Sequence, residues 1–475
     1  MRTRAAVSTA LWAMALACLS ACMSGPDYRV PDDALVRSGL ARGAFSAARD
    51  AAYTPADVPT NWWRLYDDPI LDAQIAAALA ANTDLRVAEA ALQRSFAFLS
   101  EARALRQPTI PVEGGLQYGQ VAGEQYLLRL RPPRSTDYEA RVAIGYDLDL
   151  FGGIRRGIEA ATADSEAVAA ARDLVRVNVV AETARAYADI CGAGLELVSA
   201  RRSVELQRES LELTERLRNA GRAADLDVTR SRQVLEQFKS ALPALESARH
   251  NALLRLTALT GRVPAESDLT LERCASPPRV RQAMPVGDGA ALLRRRPDVR
   301  RAERSLAAAT AGIGVAIAQL YPDIQLGISL GSLGANRDIL TAPTNFWNIA
   351  SLLQWQANQS AARARIDAAR AAERLELASF DGVVLESLRQ LESALSVYVH
   401  DLQRETLLQA SRDEAARAAE DVRRLQSGGL ATALEVVDAQ RALAAAEQAL
   451  AALQAALSDD QIAVFLALGG GWESD

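Results

Sequence analysis

The sequence predicts a mixed α and β membrane chain, in which long helical hairpins alternate with strands of bilayer length, in two copies. Three observations predict it. First, between Leu375 and Leu468 apolar residues step by seven on both sides of Gly428-Gly429: Leu377, Val384, Leu391 and Tyr398 going up, with Leu388, Leu395 and Leu402 between them. Val436, Leu443, Leu450, Leu457 and Val464 step by seven coming back. A seven-residue apolar step makes a narrow seam on one helix face, and that seam needs a partner helix. Second, the hairpin occurs twice. Val228, Leu235, Leu242 and Leu256 match Val436, Leu443, Leu450 and Val464 at one offset (436 − 228 = 208), and Gly221 matches Gly429 at the same offset. Such self-similarity marks an internal duplication. Third, each copy holds a pair of alternating apolar and polar runs about as long as a strand that crosses a bilayer at a tilt.

The order of elements follows. Residues 1–21 read as a signal peptide, with Arg2 and Arg4 ahead of an apolar run. Leu19-Ser20-Ala21-Cys22 resembles the bacterial lipobox, which implies cleavage before Cys22 and a covalent lipid on it. Met23 rather than Asp next to it implies sorting to the outer membrane. Two or three acyl chains anchor stably where one does not. No other apolar run approaches the ~18 residues of a membrane-spanning helix.

Residues 22–60 form the lipidated, extended arm. The first repeat covers 61–261. It opens at Asn61-Trp62-Trp63, where a packing role for the tryptophan pair at the start of the first helix outweighs a docking role. A helix from Asn82 to Leu105 follows, stopped by Pro108. The strand pair lies in 109–150, where Ala140, Val142, Ile144, Tyr146 and Leu148 share one face and Glu139, Arg141, Gly145, Asp147 and Asp149 the other. A helical hairpin then turns near Gly221. Residues 262–290 are a Pro- and Gly-containing linker. The second repeat, 291–475, has a helix, a strand pair within 322–355 and a hairpin turning near Gly428.

Composition narrows the function. The formal charge is −6, and nearer −8 without Arg2 and Arg4, so nucleic acid is a poor partner. His250 and His400 lack metal-type spacing. Gly312-Ile-Gly314 and Gly287-Asp-Gly289 echo phosphate loops, but no strand leads into either and no Lys follows. No catalytic residue, metal site or soluble cofactor is expected. Cys191 reads as a small residue in helix packing; Cys274 is open between a free thiol and a disulfide.

Two strand pairs give four strands per chain. An open sheet in lipid leaves backbone groups unsatisfied at several kcal/mol each. Closure therefore calls for further copies of the chain. Three copies give twelve strands and a channel wide enough for solutes.

The chain resembles the outer-membrane factor family of TolC-like exit ducts, and within it the NodT-type efflux lipoproteins of tripartite RND systems. The resemblance rests on Cys22, Trp62-Trp63 to Leu71, Tyr146-Asp-Leu-Asp-Leu-Phe-Gly-Gly153, the Leu292 to Glu303 motif with its Leu-Arg-Arg-Arg-Pro-Asp-Val-Arg string, and the Gly turns. It implies a homotrimer with a twelve-stranded outer-membrane β-barrel on a long periplasmic α-helical barrel. It implies an exit duct for small molecules, served by a periplasmic adaptor (a membrane fusion protein) and an inner-membrane RND-type pump. The hairpin tips at Gly221, Gly428 and Gly429 become adaptor contacts. Glu435 and Asp438 become the periplasmic gate, as two stacked carboxylate rings that bind cations, disfavour anions and repel one another. In one respect the chain departs from the family: Trp355-Gln-Ala-Asn-Gln-Ser-Ala-Ala362 replaces the usual Phe-Asp/Asn-Gly-Gly turn, so a looser corner is expected there. The alternatives are a lipid-anchored periplasmic coiled-coil scaffold without a pore, and a duct for type I protein secretion.

Overall fold

The computed structural model describes residues 23–120, 122 and 129–470. The signal peptide and Cys22 lie outside the described residues. In chain order the elements are β1 (Tyr53–Thr54), α1 (Pro69–Ala81), α2 (Thr83–Ala104), β2 (Val112–Gly119), β3 (Ser135–Asp147), α3 (Gly153–Asn219) and α4 (Asp225–Leu259). Then follow β4 (Met284–Pro285), α5 (Gly289–Arg295), α6 (Pro297–Ala318), β5 (Asp323–Ala335), β6 (Asn345–Gln354), α7 (Ser360–Ser427) and α8 (Ala433–Ala467). The two sequence repeats do not fold as two bodies. Each contributes to both of two compact units.

One unit comprises residues 23–31, Leu92–Val168 and Ala302–Phe380. Its centre is an antiparallel sheet in the order β2-β3-β5-β6. Cross-strand register aligns the apolar positions of all four strands. Val112 faces Val142, Val142 faces Leu330 and Leu330 faces Trp347, while Ile144, Ile328 and Ile349 make the next row. The opposite face carries Glu113 against Arg141, and a row of Gly145, Gly327 and Ala350. The apolar face has no partner among the described residues: Trp347 is 77% exposed and Ile349 71%.

Both strand-to-helix corners are short. Residues 148–152 link β3 to α3, and residues 355–359 link β6 to α7. At the first, Asp149 accepts from the backbone N–H of Ile154 (3.0 Å) and Arg155 (2.9 Å), while Gly152 turns at φ +79°. At the second, Asn358 accepts from the N–H (3.3 Å) and hydroxyl (2.9 Å) of Ser360. The looser corner expected after Trp355 is therefore not found. Asn358 caps α7 without the glycine pair. The Trp355 indole N–H and the Gln359 amide both donate to Leu320 O at 3.0 Å.

The second unit comprises Asp32–Ala91, Ala169–Arg301 and residues 381–470. Its core gathers Trp62, Leu71, Ile75, Ile190, Leu253, Leu391, Leu457 and Phe465. Trp62 stacks on Phe465 with ring centroids 4.7 Å apart and meets Trp63 and Tyr66 edge-on. The tryptophan pair thus serves packing. Asp68 caps α1, accepting from the N–H groups of Ile70 and Leu71. In the Leu292 to Glu303 motif, buried Arg296 forks onto Asp298 (2.9 and 2.6 Å), and it also donates to Ala467 O and Gln390. That ties α6 to α7 and to the end of α8. α8 is also long and apolar enough to cross a membrane, contrary to expectation. Half of its most apolar window is buried within the unit, as in a core helix.

The linker is bound down along its length. β1 pairs with β4 in parallel. Arg279 grips Glu405 through two bonds of 2.7 and 2.8 Å. Gln461 accepts from Val280 N–H and donates to Val280 O. Cys191, read from sequence as a packing residue, is joined to Cys274 by a disulfide across 83 residues. Gly194 allows the approach, since a Cβ there would lie 1.9 Å from Cys274 O. A cross-link closing so long a loop removes much of the unfolded chain's freedom, typically about 2–4 kcal/mol. Cys274→Ala is expected to lower the thermal midpoint of the purified protein. Reductant should lower the wild type to a similar level and leave the variant unmoved. A variant as stable as the oxidised wild type would remove the cross-link's role.

Candidate functional site

Two regions carry the functional expectations: the strand wall and the hairpin tips. The tips are built by duplicated turn chemistry. After α3, Gly221 sits at φ +70°, its N–H bonding Arg218 O (3.0 Å) and Arg222 N–H bonding Leu217 O (2.8 Å). After α7, Gly429 sits at φ +77°, with the same pair of bonds from Gly429 to Gln426 O and from Leu430 to Leu425 O, both 2.9 Å. These bonds satisfy carbonyls left over at a helix end, and the left-handed residue between them is cheap only for glycine. Of the Gly428-Gly429 pair, Gly429 makes the turn.

Glu435 and Asp438 both lie exposed on the first turns of α8, and each has a partner in its own chain. Glu435 completes a capping box. Its carboxylate accepts from Thr432 N–H (2.6 Å) and Thr432 hydroxyl (2.8 Å), and its own N–H reaches Thr432 Oγ1 (3.3 Å). Those bonds, the backbone one first, hold the Glu435 carboxyl below the usual range. In the first repeat Asp227 does the same work, accepting from Ala224 N–H at 3.0 Å. Asp438 lies 3.7 Å from Arg441, which also donates to Gln233 at 3.1 Å. Thr432-x-x-Glu435 is a capping-box signature, so the cap is legible in the sequence itself.

The two tips differ inside. Val204, Leu211, Val228 and Leu235 fill the first hairpin's seam, and Gln207 donates to Ser231 O (2.9 Å) and Oγ (3.0 Å) across it. At the matching positions the second hairpin has Arg412, Ala419, Ala415 and Ala439 for Val204, Leu211, Gln207 and Ser231. At these positions the second tip thus lacks the bulky pair and the Gln207–Ser231 bond of the first, while Val436, Val437 and Gln440 are buried there.

Higher on the hairpins, acids face acids. Asp459 of α8 meets Asp189 of α3, and Asp460 of α8 meets Asp401 of α7. One oxygen of each α8 acid is buried with no hydrogen-bond partner. Arg255 pairs with Asp189 and Arg404 with Asp401. Burial and then the facing carboxylate push Asp459 up to about 7 and Asp460 up to about 6. His250 lies 3.0 Å from Glu272, and His400 bonds the Ser396 carbonyl one turn back along α7. Among the described residues no cluster of His, Cys, Asp or Glu has the arrangement of a metal site.

The known family described as "Outer membrane efflux protein" matches residues 75–262 and 290–470 of the chain. The chain belongs to this family. It is 30% identical to the pyoverdine export outer membrane protein OpmQ of Pseudomonas aeruginosa, over 96% of this chain and 95% of that one. It is 26% identical to nodulation protein T of Rhizobium leguminosarum bv. trifolii, again over 96% of this chain and 95% of that one. Its structure superposes on the outer-membrane channel OprN with a TM-score of 0.89, at 33% identity, covering 95% of this chain and 100% of that one. The protein is accordingly an outer-membrane efflux channel of the NodT type, with the mixed helical and stranded channel fold.

The facing acids generate a pH dependence. A folded-state acid whose pKa is raised binds its proton where the unfolded chain, near 3.9, has already lost it. The stability that these two acids contribute is therefore fully present at low pH, and is lost as pH rises from about 4 through 7. The thermal midpoint in detergent is expected to drop between pH 5 and pH 8. Asp459→Asn with Asp460→Asn should raise it at pH 8 and flatten the profile. A double variant less stable than the wild type at pH 8 would contradict the acid pairs.

Proposed function

We propose that three copies of the chain close one twelve-stranded barrel and form the passive exit duct of a tripartite efflux system. The single observation that carries this is the sheet: four strands, one continuous apolar face, and edge strands β2 and β6 unpaired among the described residues. In hydrocarbon, unpaired edges are not tolerated, so the edge of one copy takes the edge of the next. The polar and glycine-lined face then borders water.

In this reading the helical hairpins form the periplasmic part of the duct. A periplasmic adaptor docks at the tips around Gly221 and Gly429. An inner-membrane RND-type pump selects the solutes, and the duct catalyses no reaction. The one non-protein group is the lipid on Cys22. Glu435 and Asp438 form the gate on the second hairpin. Its lighter tip packing supports the choice of that hairpin as the part that moves, and the Thr432 cap fixes the direction of the Glu435 carboxylate. Small efflux substrates are preferred to secreted proteins, because the named relatives include a pyoverdine exporter.

Planar-bilayer recording tests duct and gate together. The purified protein should open cation-preferring channels. Glu435→Gln with Asp438→Asn keeps side chains of similar size and should move the reversal potential in a salt gradient toward zero. Channels with unaltered selectivity would take these two residues out of the gate. A protein that forms no channels would overturn the duct.

A further inference from the structure

The first described residues are held far more firmly than an arm needs to be. Arg156, in the first turns of α3, is 1% exposed, and all three of its guanidinium nitrogens are used. Its Nε donates to Ser24 O (3.1 Å), and Nη2 donates to Gly25 O (3.1 Å) and to Asp27 (2.8 Å). Nη1 donates to Glu159 at 2.6 Å. Two carboxylates thus neutralise a buried cation, and its flat fork serves two carbonyls that a lysine's single ammonium would not span. Ser24 N–H meanwhile bonds Phe151 O at 3.1 Å.

The backbone is shaped to match. Gly25 sits at φ +87°, and a Cβ there would lie 2.5 Å from Gly314 Cα. A Cβ on Gly314 would lie 2.7 Å from Arg156 Cγ and 2.8 Å from Ser24 O. Two glycines on distant segments thus cross where no side chain fits. Gly152, at φ +79°, faces Met23. Tyr28 continues the attachment, its hydroxyl donating to Glu303 at 3.4 Å beneath the Arg304 guanidinium.

The Arg156 bonds, the Gly25–Gly314 crossing and the Gly152–Met23 contact lie at the corner where β3 passes into α3. Phe151 stacks on Tyr321 there, with ring centroids 4.3 Å apart. Aromatic side chains at the foot of transmembrane strands mark the lipid–water boundary. Met23, the first described residue, thus lies against Gly152 of this corner. A free arm of about ten residues would instead wander over roughly 17 Å.

We infer that Arg156, with the Gly25–Gly314 crossing, is a socket that seats the lipid-bearing N-terminus of the chain at the foot of its own strands. This rests on the reading of Cys22 as lipidated. Arg156 is a positioning residue: it touches the arm and not the lipid. The socket sets the lipid's point of entry, so the anchor and the strand wall of one chain meet the bilayer together.

The test uses the chain with Cys22→Ala, secreted behind an ordinary signal peptide, so that no lipid helps to hold the arm. Met23→Cys then supplies the one thiol outside the disulfide for a nitroxide label, and the protein is reconstituted in bilayers. An immobilised label that collides with oxygen more than with a water-soluble nickel chelate is expected. Arg156→Gln, and separately Gly314→Val, should each release it to a mobile, water-exposed spectrum at unchanged native mass. Arg155→Gln, which does not touch the arm, should leave it held. A mobile label in the parent, or a label unmoved by both release variants, overturns the socket. The mass of the mature wild type is read alongside. An immobilised label with no acyl mass would leave a latch without an anchor and overturn the lipid-seating role.

Discussion

An edge strand in hydrocarbon has nowhere to send its backbone hydrogen bonds, and the rest of this structure depends on that constraint. β2 and β6 each have one side unpaired among the described residues. The aligned rows of Val, Ile, Leu and Trp make one face fit for lipid and unfit for water. No rearrangement of four strands satisfies both demands within one copy. In the proposed trimer, assembly is therefore a consequence of backbone chemistry and not an embellishment of it. The tight corners at 148–152 and 355–359 serve the same end, since they bring each strand pair directly onto a long helix.

Duplication supplies the material, and the two copies then differ at a few positions. The turn at Gly221 and the turn at Gly429 repeat hydrogen bond for hydrogen bond. Asp227 and Glu435 repeat the same cap. Against that uniform background the exchanges at Val204, Gln207, Leu211 and Ser231 stand out. They remove two bulky apolar side chains and the Gln207–Ser231 bond from the matching positions of the second tip. Between the copies, the linker is a fastening rather than a tether: a disulfide, a bidentate ion pair and a short parallel ladder bind it.

Local and periodic features were legible in the sequence. The seven-residue seams placed the hairpins because a coiled contact imposes that period. Strict alternation from Glu139 to Asp149 placed a strand because a sheet has two faces. Glycine marked the turns because the left-handed conformation selects it. Long-range features were not legible. Nothing near Cys191 names Cys274 as its partner. Arg156 looks like one of two adjacent arginines, and only the fold brings Ser24, Gly25 and Asp27 to it. The acids at 459 and 460 read as solvated until α3 and α7 bring Asp189 and Asp401 opposite them. Glu435 was legible as an acid, but its first duty is to its own helix.

The most direct measurement is the native mass of the protein extracted from outer membranes in detergent, corrected for bound detergent by light scattering. Three chains per particle is the predicted result, since twelve strands close a barrel with no free edge. A monomeric particle would contradict it, because the sheet would then keep both edges open and would have no place in the bilayer.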